Sequence, residues 1–118
     1  MFTHDSRREI LNRERTMTVK IIIERSMNPE KLEYAVDLLT NLRSMAMHRR
    51  GYISGETLFA IDRPGTHVVI STWESLSSWK DWEHNSERLR INNMIEALLT
   101  SPSKYSAYET ARYVAEGA

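Results

Sequence analysis

The chain of 118 residues contains no cysteine. Disulfides, a thiolate nucleophile and a cysteine-ligated metal are therefore excluded. The same absence fits a reducing compartment. Neither sign of charge predominates, since 16 basic residues face 16 acidic ones. No basic excess exists to hold a nucleic-acid backbone, and no lysine-rich face to meet an anionic membrane. No apolar run approaches the roughly 20 residues of a bilayer span. The stretch from Met1 to Met17 carries Arg7, Arg8, Arg13 and Arg15 but lacks the apolar core of a secretory signal. The expectation is a soluble cytoplasmic protein with no nucleic-acid or membrane partner. Gly51, Gly55 and Gly65 are too scattered for a phosphate loop, and no Gly-x-Ser-x-Gly elbow is present. There is no His-x-x-x-His pair and no acidic loop of calcium type, so no metal site is predicted.

What the chain does have is tryptophan, and all of it in one place. Trp73, Trp79 and Trp82 are its 3 tryptophans, and they fall within Ser71–Trp82. An alternating β-branched run, Val68-Val69-Ile70, precedes them, and residues with helical spacing follow. A strand thus delivers Trp73 to the start of a helix that carries Trp79 and Trp82 one turn apart. Large flat apolar surfaces at such a junction build either a thick core or the wall of a pocket for a flat ligand.

The remaining pattern gives the fold. Residues 1–17 are a polar N-terminal extension with Ile10 and Leu11 as its aliphatic pair. The patterned domain spans 18–113, and 114–118 form a C-terminal tail. Thr18–Arg25 alternates as a strand. Asn28-Pro29-Glu30 predicts a helix start, with Asn as the cap. The helix carries an apolar stripe of Leu32, Ala35, Val36, Leu39, Leu42 and Ala46 and ends at Gly51. Tyr52–Ile61 and Thr66–Trp73 read as strands joined by the turn Asp62-Arg63-Pro64-Gly65. Ser75 caps the tryptophan helix. Asn85 or Ser86 interrupts it, and a second stretch carries Leu89, Ile91, Met94, Ile95 and Leu98. Tyr105–Tyr113 is the final strand. The order βαββαβ is the ferredoxin-like arrangement, an α+β fold with a four-stranded antiparallel sheet and helices on one face. Ile21 and Ile23 against Ile22, and Val68 and Ile70 against Val69, make the strands apolar on both sides. The open face is therefore expected to pack on a second copy, as a homodimer.

These elements, with Gly51-Tyr52, Ser71-Thr72-Trp73-Glu74-Ser75, Trp79-Lys80-Asp81-Trp82 and Ser86-Glu87-Arg88, resemble the antibiotic biosynthesis monooxygenase domains of the dimeric α+β barrel superfamily. The resemblance covers about residues 18–113. It implies one of several activities, because the fold hosts heme-degrading enzymes and cofactor-free oxygenases of phenolic polyketides. In heme-degrading members a histidine about ten positions after the helix Trp binds iron. That count reaches Asn92 here, a poor axial ligand. Those members also place an Asn on the first strand, where this chain has Glu24 or Arg25. Heme is accordingly disfavoured.

The residues themselves offer a catalytic set and a binding set. Glu24, desolvated if it faces the space between sheet and helices, is a candidate general base, and His84 is the other. Asn92 or Tyr52 would donate a hydrogen bond to a developing oxyanion. Trp82 and Trp73 would shape the slot, with Trp73 and Trp79 also reading as core. Arg88 would reach an acidic substituent or pair with Glu87 or Glu24. His67, beside a turn, reads as solvated, as does Asn93. The functional expectation is a small monooxygenase acting on a flat phenolic or quinoid molecule with dioxygen and no tightly bound cofactor. The alternative is a dimeric module that holds a flat hydrophobic ligand, heme included, without transforming it.

Overall fold

The computed structural model describes residues 18–111. The expected extension over 1–17, the tail over 114–118 and the last two residues of the expected final strand lie outside them. The first strand, β1, is Val19–Ser26, and it leads through a 3-10 turn at Pro29–Lys31 into helix α1, Leu32–Ala46. Strands β2, Tyr52–Phe59, and β3, Thr66–Trp73, follow as an antiparallel hairpin. Helices α2, Leu76–Glu83, and α3, Ser86–Glu96, precede β4, Lys104–Glu109. The sheet order is β2-β3-β1-β4, and the neighbouring pairs are antiparallel. This is the ferredoxin-like α+β arrangement expected from the sequence.

Strand periodicity decides which residues meet the helices. In β1, Val19, Ile21, Ile23 and Arg25 are buried, while Lys20, Ile22, Glu24 and Ser26 are exposed or half-buried. Opposite them in β3 stand Trp73, Ser71, Val69 and His67 on the helix side, and Thr72, Ile70, Val68 and Thr66 on the open side. The core between sheet and helices joins Val19, Ile21 and Ile23 to Leu38, Leu39 and Leu42 of α1, the three tryptophans, and Ile91 and Ile95 of α3. In β2 one extra residue, Ile53, falls between Tyr52 and Ser54, so the register with β3 shifts there.

Local chemistry sets the joints. Gly51 has φ +87°, in the left-handed region that suits glycine, and a Cβ there would run into Ser78 of α2. Gly65, with φ +90°, closes the turn before β3. Ser75 caps α2 by accepting from Ser78 N–H at 3.1 Å. Asn85 caps α3 by accepting from Glu87 and Arg88 N–H at 2.9 and 3.1 Å. Asn28 differs from expectation. Its side chain makes no capping bond, and the backbone first winds as a 3-10 turn.

The stripe of α3 also differs. Leu89 and Met94 are exposed, while Arg88, Ile91, Asn92 and Ile95 are buried. Those four stand at i, i+3, i+4 and i+7, a single helical face. Two of its positions are held by polar side chains, so a search for apolar residues alone misplaces the face.

Candidate functional site

Helices and sheet do not close completely on one another. A cavity of about 60 Å³ lies between them. Trp73, Trp79, Trp82 and Tyr52 form its aromatic wall, Ile23, Val69 and Ser71 belong to the sheet, and Leu39, Leu42 and Ala46 come from α1. The tryptophans thus serve as core and pocket wall at once. Trp73 is 0 % exposed, and its indole N–H donates to Ser71 Oγ at 3.0 Å. Tyr52 meets Trp73 edge to face, with centroids 5.3 Å apart at 87°. Trp73 and Trp79 are 5.9 Å apart. Gly55 leaves the room that Tyr52 uses, for a Cβ there would come 2.6 Å from the tyrosine hydroxyl.

The charged side chains at this cavity are arginines. Arg25, Arg43 and Arg88 line it. Glu56 also borders it, but its register with Ile70 turns its side chain to the open face. Arg88 is buried, donates to Glu83 carbonyl O and Tyr105 Oη at 3.2 Å each, and lies 5.1 Å from the Trp79 ring centroid. The cation over that ring face is favourably placed. Neither Glu87 nor Glu24 is its partner. Glu87 pairs instead with Arg90.

Glu24 is a correction to the sequence reading. It projects to the open face opposite Val68 and Lys104, and Lys104 Nζ is 3.9 Å from its carboxylate. One residue of strand parity separates it from the cavity, and Arg25 takes the inward place. His84 is a second correction. It is exposed, its Nδ1 lies 2.9 Å from Lys80 carbonyl O, and it does not line the cavity. Asn92 is buried rather than at a rim, and its Oδ1 accepts from Arg25 Nη2 at 3.1 Å. Tyr52, Trp73, Trp82 and Arg88 are brought together at the cavity; Glu24 and His84 are not.

His67 is a third correction, being 0 % exposed rather than solvated. It stands directly across from Arg25. Burial, and then the Arg25 charge, lowers its pKa from 6.5 to about 4, so the ring is neutral at pH 7. Arg25 and His67 are the site-side residues that sequence reasoning missed. The signal was available, since both continue the inward alternation of their strands. Among the described residues no three acidic or histidine side chains gather to hold a metal ion. No helix there is long and apolar enough to cross a membrane.

Fold and cavity together define a ferredoxin-like α+β domain with a tryptophan-walled pocket between sheet and helices. The sequence profile described as antibiotic biosynthesis monooxygenase matches residues 18–93, and the chain belongs to that family. No curated protein matches it by sequence. A conserved protein from Methanosarcina mazei Go1 has the same fold, with a TM-score of 0.75 at 13 % identity, covering 82 % of this chain and 96 % of that one. SnoaB from Streptomyces nogalater, a cofactor-independent oxygenase, superposes with a TM-score of 0.69 at 17 % identity, covering 81 % and 94 %. At such identities the likeness concerns the fold.

Proposed function

We propose that the protein is a small oxygenase that oxidises a flat phenolic or quinoid molecule in the tryptophan-walled cavity, without a tightly held cofactor. The observation that carries the reading is the aromatic wall of Trp73, Trp79, Trp82 and Tyr52 around the cavity between sheet and helices, in a chain of the antibiotic biosynthesis monooxygenase family. Dioxygen is a triplet and reacts with an organic molecule only when that molecule gives up electrons. An ionised phenol does so readily. In the conversion of a phenol to a quinone, the ring loses two hydrogens and gains one oxygen, and the second oxygen leaves as water. The substrate supplies every electron, so no reductant is required.

With Glu24 and His84 outside the cavity, no histidine lines it among the described residues, and Glu56 at its border is directed to the open face. The buried Arg88 and Arg25 would favour the phenolate instead, since nearby positive charge lowers the pKa of a hydroxyl. Tyr52, which lines the cavity, would donate to a developing oxyanion. Heme fits poorly. No histidine lines the cavity, and Asn92 at the expected ligand position is already engaged by Arg25. The assembly proposed for the protein is a homodimer through the open sheet face, where Ile22, Val68 and Ile70 are half-buried and Leu58 is exposed in the single chain.

The test is incubation with 1-naphthol under labelled dioxygen. The expected product is a naphthoquinone carrying one labelled oxygen, with formation slowed in Trp82→Ala. The missing base favours a second reading, a module that binds the ring without transforming it. Saturable binding of 1-naphthol with no enzyme-dependent product would establish that reading and exclude the oxygenase.

A further inference from the structure

The cavity does not end at its aromatic wall. Beside it lies a groove of about 280 Å³, lined by Val36, Leu39, Thr40 and Arg43 of α1 and by Thr57 and Phe59 of β2. Leu39, Arg43 and Thr57 line the cavity as well. The two spaces therefore share a threshold, with Leu39 and Arg43 on α1 and Thr57 on β2. Periodicity puts these residues there. Val36, Leu39, Thr40 and Arg43 stand at i, i+3, i+4 and i+7, one face of the helix. Thr57 and Phe59 stand opposite Val69 and His67, on the helix side of the sheet. β2 is an edge strand, so no further strand among the described residues closes the seam beyond it.

The groove is apolar along its walls and cationic at its threshold. Val36 and Leu39 supply the helix side, and Phe59, 49 % exposed, is a large ring only half covered. Thr40 donates its hydroxyl hydrogen to Val36 carbonyl O at 2.8 Å. Polar capacity is left to Thr57 and Arg43. Arg43 is exposed and forms no salt bridge among the described residues. Its neighbours three and four positions away are Leu39, Thr40, Ala46 and Met47, and none is acidic. Glu56 borders the cavity but is directed to the open face. A cation with apolar walls beside it and no acid of its own suits a ligand that is apolar along its length and anionic at its end. The arginine stem can cover apolar surface while the head stays in water, so pairing here does not require a buried charge.

We propose that the cavity opens along the seam between α1 and β2, and that the groove binds a carboxylate-ended chain of a ligand whose ring lies in the cavity, with Arg43 reading the carboxylate. The ligand class is an arylalkanoate, with several carbons between ring and acid. The planar fork of Arg43 can meet both carboxylate oxygens. This rests on the proposed function only in taking the cavity as a ring site, and it adds the part of the ligand outside that site. It does not require that the ligand be oxidised.

The test uses 4-phenylbutyrate and 4-phenylbutyramide, which share ring and chain, differ in charge and carry no phenol for dioxygen to oxidise. Quenching of tryptophan fluorescence in the full chain reports binding. The carboxylate is expected to bind about fivefold more tightly than the amide. Arg43→Gln should bring the two affinities within about twofold of each other by weakening the carboxylate alone. Arg43→Lys keeps the charge without the fork and should retain part of the preference. Arg50→Gln removes an exposed cation that lines neither space, and should leave the preference intact. Phe59→Ala should weaken both compounds about threefold. If Arg43 served only the C-terminal dipole of α1, whose last turn it occupies, Arg43→Gln would lower the melting temperature and leave the preference unchanged. That result overturns the proposal. So do equal affinities in the wild type, an equal loss of preference in Arg50→Gln, unchanged affinities in Phe59→Ala and the absence of saturable quenching by both compounds. 1-Naphthol carries no chain, so the labelled-quinone experiment tests the oxygenase reading independently.

Discussion

A single residue of parity governs this site. Glu24 and Arg25 are adjacent, yet one meets Lys104 on the open face and the other lies buried beside His67. His67 makes the burial measurable. Its folded pKa of about 4 lies below the ordinary 6.5, so the unfolded chain takes up a proton before the folded one does. Its contribution is fully present above pH 6.5 and is lost as pH falls toward 4. The loss amounts to about 3 kcal/mol. His67→Phe should therefore show a shallower decline of melting temperature over that window than the wild type. Identical slopes would mean that His67 is already protonated or solvated in the fold. Trp82 gives the second residue-scale prediction. It is buried in the core cluster and borders the cavity on one side. Trp82→Ala should cost about 3 kcal/mol, the lower part of the usual range for a core tryptophan, because some of its surface already lacks neighbours. Denaturant unfolding checks this, and a loss under about 1 kcal/mol would remove Trp82 from the core.

Among the elements, α3 brings Arg88 to the cavity and Asn92 to Arg25. Its first turn is anchored by Asn85, which satisfies two backbone N–H groups. Asn85→Ala should lower stability by about 1 kcal/mol. It should also weaken ring binding at the cavity, whereas Ser75→Ala, which uncaps α2, should cost a similar amount of stability. Equal effects of Asn85→Ala and Asn85→Ser on melting temperature would show that the cap carries no energy. Sequence made the strands and turns legible through alternation, β-branching and the glycine turns, so β3 was found over Thr66–Trp73 as observed. It placed Tyr52, Trp73, Trp82 and Arg88 near the site. It did not place Arg25, Asn92 and His67 inward, because a charged or polar residue carries no apolar signal. Only its position in a periodic array reveals the direction it points. Glu24 shows the same limit, as a carboxylate attracts a catalytic role whichever face it occupies.

At the scale of the whole molecule, the sheet has one covered side and one open side. Ile22, Val68 and Ile70 stand on the open side with Lys20, Glu24 and Lys104 around them. This mixture of an apolar centre and charged margins suits association with a second copy. Analytical sedimentation at micromolar concentration should give a dimer, and Ile70→Lys should shift it to monomer. A wild-type monomer would leave the open face solvated and contradict the proposed assembly. The extra residue of β2 has a consequence for how the site arose. Tyr52 and Gly55 are three apart, and in an unbroken strand they would look in opposite directions. Ile53 adds one count, and both then face the helices, with the tyrosine hydroxyl over the glycine. Tyrosine and the space reserved for it are thus a pair made by arithmetic. A one-residue deletion at Ile53 would keep every side chain of the cavity in the sequence and yet turn one of that pair away from it.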